Sequence, residues 1–155
     1  MATSYFARII KFLTIMVVAI AMAACATATG PKFSGVEPSA ADQGDVYLYR
    51  TSALFAVGQA FSVFLDGKQI TDLPNASYIR VRLSPGNYRL KVSPGPLTKT
   101  SELAVKVEPG KTNFYQYDFV SNPLANVFFL GSAIEPREPA KALADLKELQ
   151  ASKAP

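Results

Sequence analysis

The 155-residue chain has no histidine, no tryptophan and a single cysteine. Without imidazole, both the usual general base at neutral pH and the commonest metal ligand are missing. Carboxylates stand at Asp42, Asp45, Asp66, Asp72 and Asp118, but no close pair falls on one strand face, and Asp66 belongs to a turn. Glycine-rich phosphate loops are absent, since Asp66-Gly67 and Pro85-Gly86 are turn signals rather than cradles. A Ser-Lys dyad is formally open, yet no motif presents one. The chain is therefore not expected to be an enzyme, and no catalytic residue, metal or cofactor is expected. Basic residues number 16 and acidic residues 12. Neither that balance nor any motif points to nucleic acid.

Residues 8–25 read RIIKFLTIMVVAIAMAAC. Arg8 and Lys11 precede an apolar run, which gives way to small residues and ends at the one cysteine. That order is the one found in a secretory signal peptide. Met22-Ala23-Ala24-Cys25 resembles the lipobox of bacterial lipoproteins, with methionine where the family usually has leucine. The resemblance implies a diacylglycerol on the Cys25 thiol, cleavage before Cys25 and acylation of the new amine. Residues 1–24 would then be the signal peptide and Cys25 the lipidation site and membrane anchor. One acyl chain holds a protein only reversibly, whereas two or three make release negligible. Ala26 stands where enteric lipoproteins kept in the inner membrane often carry aspartate. By resemblance the expected location is the outer membrane, facing the periplasm. Two other readings fit the same residues: an ordinary cleavage site near an ordinary cysteine, and an uncleaved span. A span needs about 20 apolar residues, more than this run supplies. Removing Arg8 and Lys11 with the leader leaves 14 basic against 12 acidic residues, a mature net charge of +2.

Residues 26–41, ATATGPKFSGVEPSAA, are small, polar and broken by Gly30-Pro31, Gly35 and Pro38. With Cys25 they read as a flexible linker over 25–41, the alternative being a segment that wraps onto the domain. Over residues 42–136 the pattern turns to period two. Val46-Tyr47-Leu48-Tyr49 opens a strand. Residues 61–65 form another, and Asp66-Gly67 turns it into a hairpin with residues 68–73. Residues 78–83 alternate, Ser84-Pro85-Gly86-Asn87 turns the chain into residues 88–92, and residues 103–107 lead to a second Pro109-Gly110 turn. Residues 113–120 are aromatic-rich, and residues 127–130 are a short apolar run. About seven or eight strands at this spacing predict an all-β fold, a small antiparallel β-sandwich. Residues 137–155 form a C-terminal helix and tail. Glu138-Pro139 starts the helix, and Ala142, Leu143, Leu146 and Leu149 make one apolar stripe. A helix of about thirteen residues is marginal alone, so it is expected to dock on the sandwich.

Three constellations bear on binding. If residues 84–87 close a hairpin in which Leu83 faces Tyr88, then Arg80, Arg82, Arg89 and Lys91 share one face. Like charges across a ladder destabilise it. Either Glu102 or Glu108 on a neighbouring strand, or solvation, offsets them, or the four form an anion-binding face for headgroup phosphates, lipopolysaccharide or acidic wall polymers. Tyr47, Tyr49, Tyr115 and Tyr117 occupy alternate strand positions, as core residues or as a stacking platform for sugar rings. Residues 52–60, SALFAVGQA, are unusually apolar for a connection, either as a strand extension or as a contact surface.

The residues Val46-Tyr47-Leu48-Tyr49-Arg50, Val63-Phe64-Leu65-Asp66-Gly67-Lys68 and Ser84-Pro85-Gly86 resemble the pattern of an uncharacterised domain of short bacterial lipoproteins. They are also similar to PEGA-type domains, small sandwiches of the bacterial surface and envelope. The departure from that pattern is Asp72-Leu73-Pro74, where a threonine-proline is usual. The resemblance rests on turn chemistry, so it implies fold more than function. Together these observations lead to the expectation of a lipid-anchored envelope protein, a non-catalytic binding or structural module. Its expected partners are the membrane, anionic envelope components or other envelope proteins. The alternative is a membrane-tethered periplasmic enzyme with an unrecognised active site.

Overall fold

Strands β1 (Gly44–Arg50), β2 (Phe61–Leu65) and β3 (Lys68–Leu73) show how local sequence sets the architecture. Between β2 and β3, Asp66 and Gly67 have φ of 48° and 82°, the pair of left-handed residues that a tight hairpin turn requires. The two strands pair antiparallel as expected. In the computed structural model, which describes residues 28–54, 56–95, 99–120 and 131–153, six further strands follow. These are β4 (Ser77–Leu83), β5 (Gly86–Ser93), β6 (Ser101–Val107), β7 (Thr112–Val120), β8 (Gly131–Pro136) and β9 (Gln150–Ala151). Helix α1 (Pro139–Leu146) lies between β8 and β9. The expected signal peptide, Cys25 and the apolar run at 127–130 lie outside the described residues.

The strands form two sheets, β8-β7-β1-β4-β9 and β3-β2-β5-β6. The all-β sandwich is as expected, but its antiparallel character holds only in part. The β1–β7 and β4–β9 pairs are parallel, so the five-stranded sheet is mixed. The expected β4–β5 hairpin is also corrected. Ser84-Pro85-Gly86 carries the chain from one sheet to the other, because β4 pairs with β1 and β9 while β5 pairs with β2 and β6. Gly86 is not among the positive-φ residues, so this turn lacks the backbone that folds a strand onto its neighbour. Pro109-Gly110 makes another crossing, from β6 to β7.

Alternation along the strands sends Val46, Leu48, Phe61, Val63, Leu90, Val92, Val105 and Val107 into the space between the sheets. Tyr115, Tyr117 and Ile134 complete that core. A second apolar layer lies on the outside of the five-stranded sheet. There Tyr47, Tyr49 and Phe114 meet Ala142, Leu146 and Leu149, as the helix stripe predicts. The helix has 8 residues rather than about thirteen. It stops at Leu146 because the following residues turn back as β9, where Gln150 N–H donates to Ala76 O at 3.3 Å.

The flexible linker is corrected over its described part. Gly30 N–H donates to Ala151 O (3.0 Å), Ala151 N–H to Pro31 O (2.8 Å) and Phe33 N–H to Leu149 O (3.1 Å). The Phe33 ring packs edge-on against Tyr47 and Tyr78. These residues form a strap across the domain. The three backbone bonds and one half-buried ring offset the conformational entropy that composition alone would leave to the segment.

Candidate functional site

The four cations of the candidate anion-binding face are not brought together. Arg80 and Arg82 lie on β4, on the outer face of the five-stranded sheet, where Tyr47 and Asp45 are their cross-strand partners. Arg89 and Lys91 lie on β5 in the other sheet. There Glu102 supplies the offset: Arg89 Nε lies 3.0 Å from its carboxylate. Lys91 Nζ sits 4.4 Å over the Phe64 ring. Asp66, Gly67, Arg89, Lys91 and Glu102 line a shallow depression of about 440 Å³ of mixed charge. The sugar platform is overturned as well. Tyr47 and Tyr49 are covered by the helix and strap, and Tyr115 and Tyr117 point into the inter-sheet core.

Asp45 is the hub around Arg80 and Arg82. It is completely covered and accepts hydrogen bonds from Arg80 Nε (3.0 Å) and Nη2 (3.1 Å), Arg82 Nε (3.2 Å) and the Ser39 hydroxyl. Burial pushes its carboxyl up, but the bonds from Arg80, Ser39 and Arg82 outweigh that and hold it below its ordinary range. The bond to Asp45 raises Arg80 in turn. Glu37 in the strap pairs with Arg80, and Pro38 O accepts from Arg82 Nη2 at 3.0 Å. The arginines thus pin the strap to the sheet.

Strap, β9 and one long loop meet at the edge where β1 ends and β4 begins. Arg50, the last residue of β1, is 2% exposed. Its guanidinium lies 4.1 Å over the Phe61 ring and donates to Gln59 O and Ala56 O, each at 2.8 Å. Burial pushes Arg50 down to about 10, which leaves it charged at neutral pH. The Asn75 side chain holds both Ala53 N–H and Ala53 O at 3.1 Å. Gln59 Nε2 donates to Pro94 O on the neighbouring connection. Ala53, Ala56 and Gln59 are therefore fastened, and the described residues between 51 and 60 form a loop, not a strand extension. Held this way, the loop leaves Leu54 96% and Val57 55% exposed. Ala56 has φ of 53°, a left-handed conformation that a non-glycine residue adopts only when its surroundings impose it. The Arg50 fork on its carbonyl does so here.

Beside the strap, Pro31, Glu37, Ile70, Thr71, Tyr78 and Arg80 line part of a cleft of about 430 Å³ between the sheet edges. Among the described residues no group of three or more cysteine, aspartate or glutamate side chains is placed to hold a metal ion. No helix among them is long and apolar enough to cross a membrane. The roles of Asp45, Arg50, Phe33 and Glu37 were missed by sequence reasoning. For Arg50 there is a signal, an arginine that closes an apolar strand and is followed by fifteen residues without charge.

No curated protein and no solved structure matches the chain. Residues 40–133, running from the end of the strap into β8, match a family described as "Protein of unknown function (DUF2846)". The match spans more than half of the sequence, and the chain belongs to that family.

Proposed function

We propose that this protein is a lipid-anchored component of the bacterial cell envelope, held through Cys25 and acting as a non-catalytic binding or structural module. The observation that carries the reading is the charged, apolar and small-residue order of residues 8–25, closed by Met22-Ala23-Ala24-Cys25. The likeness of its DG and PG turns to PEGA-type envelope domains agrees with it, as does Ala26 with an outer-membrane destination facing the periplasm. The described domain supports a module that works by surface and position. The buried charges Asp45 and Arg50 are both occupied in fastening its own strap and loop. Partners are the membrane itself and other envelope components. The test is mass spectrometry of the full-length protein expressed in its own host. The expected product begins at Cys25 and carries a diacylglyceryl group and an acylated amine, while Cys25→Ser keeps the leader. An intact leader on the native chain, or a bare thiol, overturns the reading.

A further inference from the structure

We propose that the open edge of β4 is a peptide-binding site, where an extended segment of a partner protein adds as a strand. This rests on the binding half of the reading above, to which it adds a partner class, and does not need Cys25 to be acylated. β4 pairs with β1 along its whole length, from Ser77 to Leu83, but with β9 only at Ser77 and Tyr78. Backbone groups alternate in direction along an antiparallel pair. Tyr78 O accepts from Ser152 N–H on the β9 side at 2.8 Å, so the N–H and C=O groups of Arg80 and Arg82 face that side as well. Among the described residues no strand pairs with them there. The strap's bonds to these two arginines run through their guanidinium groups, to Glu37 and to Pro38 O. Turned onto Asp45 and the strap, those charges do not guard the edge as outward charges on an edge strand do.

The chain itself shows what fits beside this edge. At one end of the gap between the sheets, residues 150–153 bond both walls. Gln150 N–H and Ser152 N–H donate to Ala76 O and Tyr78 O, while Ser152 Oγ donates to Asp72 O and Thr71 Oγ1 to Lys153 O. Beyond them the gap continues as the cleft of about 430 Å³, with Ile70, Ile79 and Val81 in its wall beside Tyr78 and Arg80. The occupant is thus a backbone with aliphatic side chains at every second position. Its N–H and C=O groups pair with those of Arg80 and Arg82, and its alternate side chains meet the apolar wall. Other edges offer less. β3 carries a bulge that leaves Ile70 unpaired between Gln69 and Thr71, and a bulge breaks the regular ladder. β6 and β8 close on each other, Ser101 Oγ meeting Ser132 Oγ at 2.7 Å. A second copy on the same edge is disfavoured, because a two-fold antiparallel pair would set arginine opposite arginine at positions 80 and 82.

The test selects binders of the purified full-length protein from a phage-displayed library of random peptides. The expected selection is for peptides with valine, isoleucine or leucine at alternate positions. A synthetic copy of the strongest binder is then added to isotope-labelled protein, and amide exchange with heavy water is followed by NMR. Exchange at the Arg80 and Arg82 amides should slow on binding. Arg82→Pro removes an edge N–H that β1 does not use, and it should weaken the same peptide about tenfold, the worth of roughly one main-chain hydrogen bond. If circular dichroism shows Arg82→Pro unfolded, exchange in the native protein decides alone. No enrichment, selection of peptides without alternation, or binding that leaves Arg80 and Arg82 exchange unchanged overturns the proposal. So does slow exchange at both amides before any peptide is added. If that protection is independent of protein concentration the chain covers its own edge, and if it grows with concentration a second copy does. None of these outcomes bears on Cys25, which the mass of the processed chain decides.

Discussion

Asp45 shows how one side chain decides the state of its surroundings. A fully covered carboxylate is tolerable only with several donors, and Arg80, Arg82 and Ser39 provide them from β4 and from the strap. Asp45→Asn keeps the shape but removes the charge and turns an amide N–H₂ toward guanidinium groups. Breaking a buried ion pair costs about 3–5 kcal/mol. The low end applies here, about 3 kcal/mol, because Arg80 and Arg82 keep some contact with water and can resolvate. Chemical denaturation at neutral pH measures it. The sign with pH follows from the lowered carboxyl. Stability from Asp45 is in full above its ordinary value of 3.8 and is lost as pH falls through the still lower folded value. The gap between native protein and Asp45→Asn should therefore close below pH 3.8. A gap of constant size down to acid unfolding would show that the charge contributes nothing.

At the scale of elements, the outer face of the five-stranded sheet is closed by two pieces that flank the family-matched span of residues 40–133: the strap and α1. Eight residues of helix do not hold on their own, so α1 depends on what it covers. Leu146 is fully buried against the tyrosines of β1, and Leu146→Ala should cost about 2–5 kcal/mol, measured by urea unfolding, with new dye binding to the bared Tyr47–Phe114 surface. A loss under half a kilocalorie would mean the helix rests on the sheet without stabilising it. That stripe was legible, because Ala142, Leu143, Leu146 and Leu149 repeat at helical spacing. The strands of residues 61–73 were legible too, since Asp66-Gly67 fixes the turn, but the register shift between Val63 and Phe64 was not. Which sheet each strand joins was not. Proline-glycine turns serve a crossing between sheets as readily as a hairpin, and the four-cation face rested on the wrong choice at Ser84-Pro85-Gly86. The strap was hidden for another reason. Its composition is that of a linker, and the contacts that hold it, from the backbone of Gly30, Pro31 and Phe33 and from Phe33, Glu37, Pro38 and Ser39, run, apart from Ser39 to Asp45, to residues distant in sequence.

For the whole molecule, the strap changes what an anchor at Cys25 does. A linker free as far as Ser39 has fourteen residues after the cysteine and an average span of about 21 Å, whereas one fastened at Gly30 has five and spans about 12 Å. On the proposed reading of Cys25 as acylated, the strap would hold the sandwich close to the headgroups rather than lift it clear of them. Gly30 permits this because its backbone lies against β9: a side-chain carbon there would come 2.5 Å from Ala151 O and 2.8 Å from Ala151 Cβ. Gly30→Ala thus pushes the strap off its strand, and Phe33→Ala removes the ring that seats it between Tyr47 and Tyr78. The double variant should leave the sandwich folded, because the inter-sheet core contains neither residue, but it should free the tether to its longer span. Energy transfer from a dye on Lys106→Cys, with the Cys25 thiol blocked by the proposed acylation, to an acceptor in the bilayer measures the height of the domain. Transfer should drop in the double variant, with circular dichroism unchanged. Equal transfer in both proteins would mean that some contact other than the strap sets the distance from the membrane.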